Sequence, residues 1–163
     1  MPETSTVIYP GVFDPVTLGH LDVIGRGAAL FGGLVVAVHA DPPGKRCLFS
    51  AEERADLVRR SVAGIQGVSV ILYDGLTATF AREQGAAFLL RGLRPHGDFA
   101  SEYQMAIANR TLASVETVFL PAEGQTAAIS SRLVREVAAL GGNVSALVPA
   151  PVAEALERKP AES

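Results

Sequence analysis

Cysteine occurs once in the 163 residues, at Cys47, so no internal disulfide can form. A lone thiol of this kind reads as a small, half-buried side chain. Lysine is nearly as scarce: Lys45 and Lys159 are the two among fourteen basic residues. Excess positive charge is missing as well. A formal net charge of −3 and a pI near 5.6 lack the basic footprint of a nucleic-acid binder. No apolar run approaches the roughly 20 residues of a membrane-spanning helix. Residues Met1 to Ser5 carry no basic segment followed by an apolar one, so no secretory signal is expected and a cytoplasmic location is. Paired carboxylates and a Ser-His-Asp set are also absent, which argues against chemistry built on either.

What is present is a strong alternating pattern. With 48 % hydrophobic residues the chain supports one well-buried domain, expected over 1–163 with a loose tail at 160–163. No repeat, linker or low-complexity segment interrupts it. Short apolar runs at Val7–Tyr9, Leu34–Val38, Val68–Leu72, Phe88–Leu90 and Val115–Leu120 alternate with longer stretches of helical spacing. Five strands joined by crossover helices predict a doubly wound parallel sheet of the Rossmann-like α/β class, in the order 3-2-1-4-5. Ser50 to Glu53 has the spacing of a capping box. Gly64, Gly85 and Gly141-Gly142 are expected to end the second, third and fifth helices, and a last short helix is expected from Val152 to Arg158.

In such a sheet the ligand crevice lies outside the carboxyl ends of the strands. Polar clusters follow four of the five predicted strands: GVFDPVTLGH at Gly11 to His20, DPPGKR at Asp41 to Arg46, RGLR at Arg91 to Arg94, and ISSRLVR at Ile129 to Arg135. The first places a turn and a histidine at a helix N-terminus, a site that favours an anion such as phosphate, with His20 aimed at it. Lys45, retained in an arginine-rich chain, supplies a compact point charge suited to phosphate. Arg91 and Arg94 offer forks for bidentate phosphate binding. Ser130 serves as an N-cap and, at the same helix end, as a phosphate contact. Tyr103, Met105 and Ile107 read as core or subunit contacts. His39 and His96 are assigned no role.

GVFDPVTLGH with the downstream ISSxxxR resembles the nucleotidylyltransferase superfamily. TLGH, RGLR, Asp98-Phe99 with Glu102, Gln104 and Asn109-Arg110, and the closing run from Gly142 to Pro149 narrow the resemblance to phosphopantetheine adenylyltransferases. It runs from about Val7 to Leu156. The resemblance implies transfer of the adenylyl group of ATP to 4′-phosphopantetheine, with dephospho-coenzyme A and pyrophosphate as products, in coenzyme A synthesis. It further implies that Mg2+ is carried mainly by the ATP phosphates, with no metal-ligating residues of the chain itself, and that the protein is a homo-oligomer, typically a hexamer. By the same resemblance His20, Lys45 and Arg94 are catalytic. ATP contacts fall to Val12, Phe13, His20, Gly92, Leu93, Arg94, Glu102, Ser130, Ser131 and Arg132. The acceptor contacts Val12, Lys45, Leu76, Thr77 and Arg91.

Some positions depart from the family pattern. Val12 replaces a Thr or Ser, Thr126-Ala127-Ala128 replaces an aromatic pair, and Arg132 replaces a third hydroxyl. Gly75, Thr77 and Ser101 differ on the acceptor side. Two other functions fit the same residues: adenylyl transfer to another phosphorylated acceptor such as a mononucleotide, and non-catalytic binding of a nucleotide or coenzyme A.

Overall fold

The computed structural model describes residues 6–95 and 99–159; His96, Asp98, residues 1–5 and the tail at 160–163 lie outside them. The elements are β1 (Thr6–Gly11), α1 (Leu18–Phe31), β2 (Leu34–His39), α2 (Ala51–Val62), β3 (Val68–Tyr73), α3 (Thr77–Glu83), β4 (Ala86–Leu93), α4 (Phe99–Ala113) and β5 (Glu116–Pro121). A short 3-10 turn (Gly124–Ala128) then leads to α5 (Ser131–Ala139) and α6 (Ala150–Arg158). The five strands pair in parallel in the order β3-β2-β1-β4-β5, as the sequence pattern predicts.

Strand alternation divides the core between the two sheet faces. Val7, Tyr9, Val36, Val38 and Leu90 join one apolar cluster with Val23 and Ile24 of α1, Val58 of α2, Val134 of α5 and Val152 of α6. Ile8, Ala37 and Leu89 face the other way, onto Ala78 and Ala81 of α3 and Ala113 of α4. The second cluster is smaller and its buried helical residues are alanines, with Phe80 of α3 packed at its margin. Helix α4 therefore covers its face thinly, and Phe99, Tyr103, Met105, Ile107 and Leu112 stay exposed. None of Tyr103, Met105 and Ile107 is core within this chain.

Two glycines let α1 sit close against β4. A Cβ at Gly27 would fall 2.5 Å from Leu90 Cδ2, and one at Gly92 2.9 Å from Val23 Cγ2. That approach fixes the height of the first turn of α1 above the strand ends. The Ser50 capping box forms as expected, with Glu53 N–H donating to Ser50 Oγ at 3.1 Å and Ser50 N–H to Glu53 Oε2 at 2.8 Å. Most strand boundaries lie one to three residues from the apolar runs, and three differences stand out. β4 runs on to Leu93, so Arg91 and Gly92 belong to the strand itself rather than to a loop after it. Helix α2 stops at Val62 with a right-handed Ala63, ahead of Gly64. Helix α6 starts at Ala150, because Pro151 fits in a first turn where no N–H is needed.

Candidate active site

The carboxyl ends of the strands open into a crevice of about 800 Å³. Val12, Phe13, His20, Lys45, Thr77, Arg91, Gly92, Arg94, Glu102, Ser130, Ser131 and Arg132 all line it, so twelve of the fourteen residues expected in the site come together. Leu76 and Leu93 do not line it. Leu76 is exposed at the N-cap of α3, and Leu93 ends β4.

The environment of His20 is specific. Thr17 caps α1, and its side-chain oxygen accepts the His20 backbone N–H. Reciprocally, the Thr17 backbone N–H donates to His20 Nδ1 at 3.0 Å, with Thr17 Oγ1 3.1 Å from the same atom. An Nδ1 that accepts a hydrogen bond carries no proton, so the neutral ring bears its hydrogen on Nε2. Burial and the charges of Arg91 and Arg94 push the His20 pKa down to about 3. The ring is therefore an uncharged donor at neutral pH, with no hydrogen bond on Nε2 among the described residues. The anion-binding turn expected at α1 is narrower than the sequence suggests, since Leu18 N–H is taken by Leu147 O at 3.0 Å.

Arg91 is already engaged. Its Nη2 lies 2.6 Å from Glu102 Oε1 and its Nε 3.0 Å from Glu102 Oε2, while Nη1 donates to Pro10 O. Burial opposes the charge on Arg91, but the Glu102 hydrogen bonds and charge outweigh it and raise the Arg91 pKa. Neighbouring Tyr9 is pushed up to about 12, mainly by burial, so its hydroxyl stays protonated. Lys45 is exposed on the loop after β2, in a turn closed by its own N–H to Pro42 O at 3.2 Å.

The groups that hold the first loop carry signals the sequence reading left unused. Arg54, only 2 % exposed, donates to Phe49 O, Val12 O, His39 O and Ala40 O at 2.7–3.1 Å. It lies four residues before Val58 on the inward face of α2, and an arginine on an apolar stripe is the mark that could have found it. Asp14 is buried, and its carboxylate accepts the N–H groups of Leu48 and Phe49 at 2.8 and 3.0 Å. Arg135 Nη1 donates to Asp14 O at 2.6 Å, and Ser131 Oγ to Pro15 O at 2.8 Å. The GVFDP loop is thus clamped by α2 on one side and α5 on the other.

Comparison with known proteins decides the family. Residues 8–137 match the model of the cytidylyltransferase-like family. A phosphopantetheine adenylyltransferase of Alkalilimnicola ehrlichii is 51 % identical over 154 residues, covering 93 % of this chain and 88 % of the relative. Enzymes of the same name from Thermosynechococcus vestitus and Synechococcus sp. strain CC9311 are each 49 % identical, covering 92 % and 93 % of this chain and 89 % and 94 % of their own. The chain belongs to the phosphopantetheine adenylyltransferase family.

Within that family its unusual residues have definite places. Val12 lines the crevice, and its carbonyl is held by Arg54. Thr126, in the 3-10 turn, donates through Oγ1 to Glu123 O at 2.7 Å and packs its carbonyl over Gly19, where a Cβ would come within 3.1 Å. Arg132 is 82 % exposed on its side chain and leans on Glu136 at 3.5 Å. Thr77 meets Tyr73 OH at 2.9 Å, and Tyr73 stacks on Phe80. His39 lines the same side, with Nε2 donating to Gly75 O at 2.9 Å. No helix among the described residues is long and apolar enough to cross a membrane.

Proposed function

We propose that this chain transfers the adenylyl group of ATP to 4′-phosphopantetheine. An oxygen of the acceptor phosphate attacks the α-phosphorus, the bond to the bridging oxygen of the β-phosphate breaks, and pyrophosphate leaves with that electron pair. The attacking phosphate is already ionised near neutral pH, so no general base is needed. The work left to the protein is to hold two anions in line and to stabilise charge that builds on the α-phosphate.

The observation that carries this reading is the neutral His20, with Nδ1 tied to Thr17, Nε2–H without a hydrogen bond among the described residues, and the ring in the field of Arg91 and Arg94. A fixed uncharged donor gains strength as the α-phosphate oxygens gain charge, without binding ground-state phosphate as a cation would. In our assignment Lys45 and Arg91 hold the acceptor phosphate, with Val12 and Thr77 along the acceptor arm. Arg94, Ser130, Ser131 and Arg132 hold the ATP phosphates. Val12, Phe13, Gly92 and Glu102 seat the nucleotide. Glu102 also orients Arg91 through the bidentate pair.

A divalent cation accompanies ATP in nucleotidyltransferases generally, and we assign Mg2+ here. The nearby carboxylates of Asp14 and Glu102 are engaged by the Leu48 and Phe49 amides and by Arg91. Such a site fits a metal ligated by substrate phosphates and water, which when bound would offset charge on the polyphosphate. The exposed apolar side chains of α4 support self-association, for which we take a hexamer as the expected state, and a cytoplasmic location completes the reading. Light scattering that returns a 17.0 kDa monomer at micromolar concentration overturns the assembly.

Separate titrations with ATP and with 4′-phosphopantetheine test the assigned division. Lys45→Ala and Arg91→Ala should weaken chiefly the acceptor, and Arg94→Ala chiefly ATP. Equal losses for both ligands in all three variants would defeat the assignment.

A further inference from the structure

Resting on the adenylyl-transfer reading, one buried residue outside the crevice has a place in the reaction. Arg54 does not line the crevice, yet it is the largest fully buried side chain of the molecule among the described residues. No carboxylate among them pairs with it. Its guanidinium is satisfied by four carbonyls drawn from three separate segments: Val12 after β1, His39 and Ala40 at the end of β2, and Phe49 before α2. Burying a guanidinium without an anion is costly, and a hydrophobic residue would fill the same space without that cost. A role in fixing backbone directions accounts for its presence.

The bond to Val12 O is the informative one, at 2.8 Å. In a planar trans peptide the carbonyl and the next N–H point in opposite directions. With Val12 O turned down onto Arg54, the Phe13 N–H is turned the other way, and both Val12 and Phe13 line the crevice while Arg54 does not. The following residue is held in an unusual state: Phe13 has φ 52, the left-handed region, where a bulky side chain is strained. Its ring is nonetheless buried, edge-on to Tyr9 and to His20, with centroids 5.4 and 5.0 Å away. Two anchors therefore set this peptide, Arg54 on the carbonyl and the Phe13 ring on the following residue.

We propose that Arg54 is a positioning residue for adenylyl transfer, which holds the Val12–Phe13 peptide so that the Phe13 N–H donates to the reacting phosphate beside His20. The chain lacks a hydroxyl at position 12, so this amide is the donor that the turn retains there. Arg54→Lys keeps the charge but cannot reach four carbonyls from one ammonium. Arg54→Met keeps the bulk and removes both. Both variants should lower kcat on the order of ten- to a hundredfold, the equivalent of one hydrogen bond to a charged group, with the KM for ATP within about threefold. Arg54→Lys should retain more activity than Arg54→Met.

Amide spectra supply the reading that a merely structural role would not move. Valine labelled at its carbonyl and phenylalanine labelled at nitrogen together select two amides, Phe13 and Phe119, because these are the Val-Phe pairs of the sequence. The probe is a non-hydrolysable ATP analogue with 4′-phosphopantetheine. In the unaltered protein the Phe13 amide should shift strongly while Phe119, inside β5, stays nearly still. In Arg54→Lys the Phe13 response should be lost or much reduced. A folded Arg54→Lys protein with kcat within twofold and the full Phe13 response overturns the proposal. If both variants fail to fold, the unaltered protein still decides: a Phe13 amide that ignores the analogue, while other signals of the protein respond, overturns it. Failure of the analogue to bind at all defeats the adenylyl-transfer reading and the proposal together.

Discussion

His20 should make the folded state lose stability as the pH falls below neutral. Its pKa in the folded protein is pushed down to about 3 from an ordinary 6.5, chiefly by burial and then by Arg91 and Arg94. In the unfolded chain the imidazole takes up a proton below pH 6.5, while in the folded chain it stays neutral until near pH 3. Its contribution is therefore complete above pH 6.5 and is lost progressively as the pH drops toward 3. Each unit of that interval is worth about 1.4 kcal/mol, so near pH 5 the loss reaches about 2 kcal/mol. That figure is a ceiling, because water reaches part of the half-buried ring. Urea unfolding of the unaltered protein and of His20→Asn, at pH 8 and pH 5 and one protomer concentration, isolates the effect. The stability advantage of the unaltered protein at pH 8 should shrink by up to about 2 kcal/mol at pH 5. A gap that does not change with pH would show that His20 is not held neutral. The same placement means that turnover should carry no inflection near pH 6.5 from this residue.

Glu102→Gln should loosen Arg91, whose guanidinium it grips bidentately, and raise the KM for the acceptor about tenfold with a smaller change in kcat, measured by steady-state kinetics. Gly92→Ala should destabilise by roughly 1–3 kcal/mol, because the new methyl would lie 2.9 Å from Val23 Cγ2; adding Val23→Ala should restore much of the thermal stability if that clash is the cause. Val12→Thr should raise kcat by up to the ten- to hundredfold that one hydrogen bond of roughly 1.5–3 kcal/mol to a charged group supplies. No change in turnover would mean that side chain 12 does not face the phosphates.

Strand order was legible because each strand is a short apolar run bounded by turns, and because parallel connections leave few topologies. The crevice followed from that order, since polar clusters after successive strands converge at one sheet edge. The clamps beneath it were not legible. Arg54 and Asp14 bond backbone groups 14 to 42 residues and 34 to 35 residues away, apart from Phe49 O, five residues from Arg54. A carbonyl leaves no trace of its own in a residue pattern. The Arg91–Glu102 pair was hidden for a related reason: each residue reads as a separate ligand contact, and the structure joins the two to each other. For α4 the apolar residues were visible, but their exposure depended on how little the alanine-lined face beneath can cover.

The central claim is tested most directly by pyrophosphate release from ATP, with 4′-phosphopantetheine and nicotinamide mononucleotide offered separately as acceptors and the products resolved by mass. Dephospho-coenzyme A should form in step with pyrophosphate, with kcat/KM for 4′-phosphopantetheine far above that for the mononucleotide, and His20→Ala should cut kcat at least about a hundredfold while ATP binding is nearly unchanged. Turnover that favours the mononucleotide, or binding of both substrates with no adenylyl transfer, would contradict it.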